Sequence, residues 1–424
     1  VLAASTAAAA QAPDPFTFHA QLTYQLQGHG PFEAPYSGRN SFEDREETRG
    51  SFTTTLFLGT RAWNGGEIYG NAEFFAGSGL SQVVGLAGPP NGETYRIDST
   101  ALKASMARLF LRQTWNLAET GETSTVAEGP NQVAGRDSAR RLTLTAGKFS
   151  GIDVFDGNTY SHDARTQFNN WSLWANAAWD YPADTRGYTW GVALEWFHDA
   201  WAIRGASFME PLESNGLAFD HDVRQAHGEA LEAEHDHLLA GHKGALRFLA
   251  YQNHARMGIY REAIEENPAA PDVTATREPG RVKYGFGVNL EQALTPALGV
   301  FLRSGWNDGR TESWAFTEIE RTVSAGVSMS GAPWGRPRDG FGAAFAFNGA
   351  SRDHLDYLGA GGYGFMLGDG RLSASTERLL DAYYLCGVSR YAFVSLEAQH
   401  FENLAFNRDR GPVTVYGVRV HLEY

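Results

Sequence analysis

The chain has 424 residues, 42% hydrophobic and 20% charged, with 48 Gly, 11 Trp, 17 Tyr and 26 Phe. Its formal net charge of -14 argues against a polyanionic partner such as nucleic acid, and its single cysteine, Cys386, excludes an intrachain disulfide. No run of about 18 apolar residues occurs, so no transmembrane helix is expected. A membrane barrel, whose strands turn every second residue to a wet lumen, would still hide behind a mean hydropathy of -0.35.

The first segment, "VLAASTAAAAQAPDP", reads as the tail of a secretory signal. Small residues lead to Ala10-Gln11-Ala12, an A-x-A cleavage site, so residues 1–12 are taken as a signal remnant and 13–424 as one exported barrel. Period-two alternation then begins. Phe16, Phe18, Ala20, Leu22, Tyr24 and Leu26 share one face, and Thr17, His19, Gln21, Thr23, Gln25 and Gln27 the other. "YTWGVALEW" repeats the pattern from Tyr188 to Trp196, and "RVKYGFGVNLE" from Val282 to Leu290. Each apolar face is about ten residues long and aromatic at its ends, matching a tilted strand that crosses a bilayer between aromatic girdles.

The pattern predicts strands near 15–28, 51–62, 66–76, 106–116, 141–150, 187–197, 199–208, 243–252, 254–262, 281–292, 297–306, 314–330, 338–349, 377–388, 390–401 and 412–424. That is sixteen antiparallel strands, an even number, as an all-β transmembrane barrel requires when both termini lie on the short-turn side. The tight connections "NGG", "HD", "LTP" and "VSR" fall on that side. The long ones, 29–50, 77–105, 151–186, 209–242, 263–280 and 350–376, fall on the other. An insert at 117–140 interrupts the short-turn side without explanation.

"WSLWANAAWD" alternates acceptably but also repeats at three and four, through Trp171, Trp174, Ala175 and Ala178. Strand parity favours a loop with a short helix. The surrounding loop, 151–186, carries Asp153, Asp156, Asp163, Arg165 and three tryptophans, odd contents for an exposed tip. It is expected to fold into the lumen and narrow it.

Other signals carry less. His221, His227, His235, His237 and His242 lie among acids without the spacing of a known metal site, and read as a solvated loop. "DVFDGN" resembles the opening of a calcium loop but lacks the terminal glutamate, so its acids are better matched to wall arginines. Cys386 falls on the apolar face beside Ala382 and Tyr384, as a small lipid-facing residue. Neither a phosphate loop nor a G-x-S-x-G elbow occurs, so no catalytic residue, cofactor or metal is expected.

The terminal "NRDRGPVTVYGVRVHLEY" (407–424), the block 147–196 and "YGFMLGDGRL" (363–372) resemble the carbohydrate-selective porins of the OprB type, with similarity from about residue 16 onward. The resemblance implies a sixteen-stranded channel of the bacterial outer membrane for sugar uptake, and a final aromatic residue, Tyr424, that serves barrel insertion. The implied partners are small carbohydrates and outer-membrane lipid. A homotrimer, common among porins, is compatible with this.

Parity assigns the lumen residues without any alignment. Asn71, Glu73, Arg108, Arg112, Arg204, Arg247, Lys283, Arg303, Glu397, Gln399 and Arg419 are placed inward. The reverse would put arginine in lipid at roughly 2–4 kcal/mol each near the midplane. Arg112, Arg204, Arg247, Arg303, Arg419 and Glu397 sit near mid-strand, where a constriction is expected, opposite Asp153, Trp171 and Trp174 of the loop. Arg and Asn can donate to sugar oxygens, Glu can accept from hydroxyls, and Trp can cover a C–H face. The inward set reads as net basic, which would favour anions slightly. A porin for other small anions, and a surface protein merely anchored by its barrel, are the competing expectations.

Overall fold

In hydrocarbon, alternating strands satisfy their backbone only if no edge is left open. The computed structural model describes residues 14–93, 99–117 and 123–424, so the expected signal remnant lies outside the described residues. Its strands are β1 (Phe16–His29), β2 (Glu47–Trp63), β3 (Gly66–Gly77), β4 (Ser99–Asn116), β5 (Thr123–Val126), β6 (Gly135–Ser138), β7 (Arg140–Phe149), β8 (Thr189–His198) and β9 (Trp201–Met209). They continue with β10 (His227–Leu239), β11 (His242–Met257), β12 (Glu278–Ala293), β13 (Leu298–Asn307), β14 (Arg321–Ser330), β15 (Gly340–Gly349), β16 (Glu377–Gly387), β17 (Ala392–Glu402) and β18 (Val413–Glu423). All but β5 and β6, which form a separate hairpin, close into one sixteen-stranded antiparallel barrel. The seam is β1 against β18, where Ala20 and Tyr424 exchange backbone hydrogen bonds of 3.0 and 2.9 Å.

The alternation has the expected sense. On β18, Tyr416, Val418 and Leu422 are 64%, 42% and 42% exposed, whereas Val415, Arg419 and His421 are buried. On β12, Val282, Tyr284 and Phe286 face outward and Lys283 is buried. Cys386 shares the outward parity of Tyr384, between buried Leu385 and Gly387. Tyr188 departs from its assignment. It lies one residue before β8, is buried, and its hydroxyl turns to Glu73.

The strand assignment needs one correction. The segment read as a solvated loop, 209–242, contains β10, and the two strands expected at 243–252 and 254–262 are the single strand β11 followed by α2 (Tyr260–Glu266). The two errors cancel, so the count stands. β10 escaped because polar residues interrupt both of its faces: His227, Glu229, His235 and His237 stand beside Leu231 on the outer one, and Glu232 is buried inward. Likewise 314–320 belongs to a loop, and only 321–330 is strand β14.

The long connections gather at one end and several turn inward. The loop 150–188 enters the lumen, with α1 (Trp171–Trp174) capped by the Asn170 side chain, which accepts from the Ser172 backbone N–H. Phe155, Trp171, Trp174 and Trp179 pack on Phe110, Phe149, Phe208 and Leu249 of the wall. The small residues of the inner face make this possible. A Cβ at Gly287 or Gly305 would lie 2.1 Å from the Asn176 side chain of the loop.

Candidate functional site

β3 and β4 contribute Glu73 and Arg108 to one side of a chamber of about 290 Å³. The infolded loop contributes Asp153, Arg165, Trp171, Trp174 and Arg186, and two other long loops add Glu93 and Phe316. Arg108 donates from Nε and Nη2 to the two carboxylate oxygens of Asp153 at 2.7 and 2.6 Å, a bidentate pair. Burial would raise the Asp153 carboxyl, but the Arg108 charge and hydrogen bonds outweigh it and hold the group below its ordinary range. Arg165 meets Glu93 at 3.0 Å. Arg186 donates to Glu73 at 2.8 Å, and Tyr188 donates to the same carboxylate at 3.2 Å.

Facing these pairs is an aromatic shelf. Trp171 stacks on Phe316 with centroids 5.6 Å apart and planes 11° from parallel, and Trp174 meets the same ring edge-on. The Trp174 indole Nε1 is buried with no hydrogen-bond partner among the described residues. The chamber therefore offers paired charges, aromatic faces and unspent donors, Trp174 Nε1 and Arg186 Nε among them. It is not net basic, as the inward set suggested. Its three arginines are each matched by a carboxylate.

The mid-strand residues expected at a constriction mostly lie elsewhere, beneath the loop. Arg303 meets Asp156 at 3.1 Å and donates to the Leu173 carbonyl at 2.8 Å. Arg419 donates to the carbonyls of Ala164 and Gln167 at 2.6 and 2.9 Å. Glu397 accepts from the Asn169 N–H at 3.0 Å, and Gln399 accepts from the Asn170 side chain at 2.9 Å. Lys283 reaches Asp180 at 3.3 Å and Ser313 at 3.0 Å. Arg303 and Lys283 are 0% exposed, so they brace the loop rather than border open space. Arg204 is held by Glu195, Glu232 and Glu234 at 3.0–3.1 Å, and Arg247 by Glu234 and Glu291 at 2.5 and 3.5 Å.

Arg112 and Asn71 serve the unexplained insert. Between β5 and β6 the chain enters the short-turn mouth of the barrel. Arg112 donates to the Asn131 carbonyl at 3.0 Å, and Asn71 to the Asn131 side chain at 2.8 Å. Arg61 donates to the Ala134 carbonyl at 3.0 Å, and the Val133 N–H donates to the Tyr69 hydroxyl at 3.1 Å. A cavity of about 900 Å³ adjoins this mouth and another of about 860 Å³ lies among the long loops.

Of the residues expected to face the lumen, Glu73 and Arg108 border the chamber with the loop residues Asp153, Trp171 and Trp174, whereas none of the six mid-strand residues expected at a constriction does; Glu93, Arg186 and Phe316 border it without having been expected. These three come from loops, where no alternation indicates direction.

A family model described as carbohydrate-selective porin, OprB family, matches residues 46–424. No curated protein matches the chain in sequence. Among solved structures, Pseudomonas putida OprB is similar, with a TM-score of 0.70 at 15% identity over 97% of this chain and 94% of that one. The Acinetobacter baumannii outer membrane channel DcaP is similar at 0.53 and 8% identity, covering 96% and 97%. These likenesses concern the fold.

Proposed function

The chain belongs to the OprB family of carbohydrate-selective porins, and from that premise we propose that its selectivity resides in the chamber between Arg108–Asp153 and the Trp171–Trp174 shelf. The protein is a porin for carbohydrates in the bacterial outer membrane, and its family and fold are those of channels. The observation that carries the proposal is the lining of the chamber, where the Arg108–Asp153, Arg165–Glu93 and Arg186–Glu73 pairs face the Trp171–Phe316 stack and Trp174. A sugar has hydroxyls that donate and accept, and C–H faces that lie on aromatic rings. Paired arginines and carboxylates offer both hydrogen-bond roles at once. An anion gains less, because each arginine that attracts it has a carboxylate beside it. Contacts that are individually weak let solute leave as readily as it enters. In this reading the loop 151–186 is the constriction, and Arg303, Arg419, Lys283, Glu397 and Gln399 act by holding it.

Planar-bilayer conductance with added monosaccharide and oligosaccharide tests this. Graded block is expected in the wild type, and Arg108→Ala should weaken it by about tenfold or more, the cost of a hydrogen bond to a charged group. Anion-selective current indifferent to sugar would favour the anion-porin alternative. Unchanged block in Arg108→Ala would remove the chamber from the selectivity mechanism.

A further inference from the structure

On the outer wall of the barrel, near the long-loop ends of β10 and β11, two histidines and a glutamate converge. His227 and His254 are direct partners in the β10–β11 register, and Glu229 follows His227 on the same face. The flanking Gly228, Ala230, Tyr251 and Asn253 are buried toward the lumen, so the three side chains point away from it. They border the apolar band, where Val282, the β12 neighbour of His254, is 39% exposed. One ligand atom from each of the three lies within 4.8 Å of the others. The imidazole rings face each other at 4.5 Å and 17°. Glu229 approaches His227 Nε2 at 3.0 Å.

Two further observations point to a missing ligand. His227 Nδ1 and Glu229 Oε2 are buried with no hydrogen-bond partner among the described residues, an arrangement that costs free energy unless something satisfies it. The Gln252 amide nitrogen lies 2.6 Å from His254 Nε2. An amide nitrogen only donates, so this ring nitrogen carries a lone pair, the form that binds a metal. Gln252 is exposed and can swing aside.

We propose that His227, Glu229 and His254 form a divalent transition-metal site on the outer wall. Two imidazoles and a carboxylate suit zinc, nickel or copper(II) rather than magnesium or calcium. Tetrahedral zinc places its ligand atoms about 3.3 Å apart, and imidazole binds it along an in-plane lone pair, so the two stacked rings must turn out of parallel to converge on the ion. The fourth position faces outward, open to water or to an oxygen of a lipid headgroup. Bound metal would staple β10 to β11 at the end where β11 leaves the sheet for α2.

The test uses the untagged, full-length barrel in detergent, stripped with EDTA. Zn²⁺ is titrated by calorimetry and Cu²⁺ by electron paramagnetic resonance, with circular dichroism to establish that each variant is folded. About one saturable equivalent is expected. His227→Asn and His254→Asn should each weaken it by more than the roughly 10–100-fold typical of losing an outer-shell partner, and the copper spectrum should fall from two nitrogens to one. His221→Asn, in the adjoining loop, should change nothing. No saturable binding, or full affinity in both variants, would overturn the proposal and leave a stacked histidine pair only.

Discussion

Arg108 and Arg303 show how one residue type on one face of the wall acquires two roles. Both point inward, and each meets an aspartate of the same loop, at 2.6 and 3.1 Å. Arg108 borders the chamber, whereas Arg303 is fully covered. Arg303→Ala would strand Asp156 as a buried, unpaired carboxylate, at a cost of about 3–5 kcal/mol. The expected outcome is a lower melting temperature and faster proteolysis within 150–188, partly restored by adding Asp156→Asn. A variant that melts like wild type would show that the loop is held elsewhere. The inward direction of both arginines was legible, because alternation is a local property and lipid penalises the reverse. Their partners were not, because 147 residues separate Arg303 from Asp156.

At the scale of elements, the lumen is shaped by what the strands lack. Gly287 and Gly305 leave room for Asn176, so Gly305→Leu should push the loop from the wall. Larger single-channel conductance and weaker sugar discrimination would follow; unchanged conductance would mean the loop adapts without moving. The long loops are also tied to one another. Glu377 accepts from the N–H groups of Ala87, Gly88 and Ala405 at 2.8–2.9 Å. His354, on α3 (Arg352–Gly359), lies 3.0 Å from Glu320 and stacks on Tyr260 of α2. Burial would lower the His354 pKa, but Glu320 and then Glu318 outweigh it and raise the group above its ordinary 6.5. A histidine raised by folding contributes stability that is complete below pH 6.5 and lost as the pH climbs through the raised value. Hydrogen exchange in 350–376 should therefore quicken from pH 6 to pH 9 beyond the intrinsic chemical rate, and His354→Asn should flatten that excess. An identical profile in the variant would place the pH response elsewhere. β10 is the element the sequence concealed. With histidine and glutamate breaking up Leu231 and Leu239 outside and glutamate inside, it has no continuous apolar face to announce a strand.

Over the whole molecule, closure is the organising constraint. Sixteen strands leave no edge, and the last is the one that joins the first. Removing 413–424 would expose the edges of β1 and β17 together, a cost no internal contact offsets in hydrocarbon. Such a truncation should fail to insert in membranes or liposomes; a stably inserted, conducting product would contradict the closed topology. The sequence by itself determined the barrel, the sense of its two faces and the inward loop, because each follows from a two-residue period and from where aromatic and charged residues fall along the chain; the count of sixteen stood because the concealed β10 was offset by the division of β11. Only the tertiary structure decided which inward arginines border open space, that residues 131–134 of the insert enter the short-turn mouth, and that His227 meets His254. Those outcomes depend on strand register and on what the loops cover, and both are set by contacts between residues far apart in the chain.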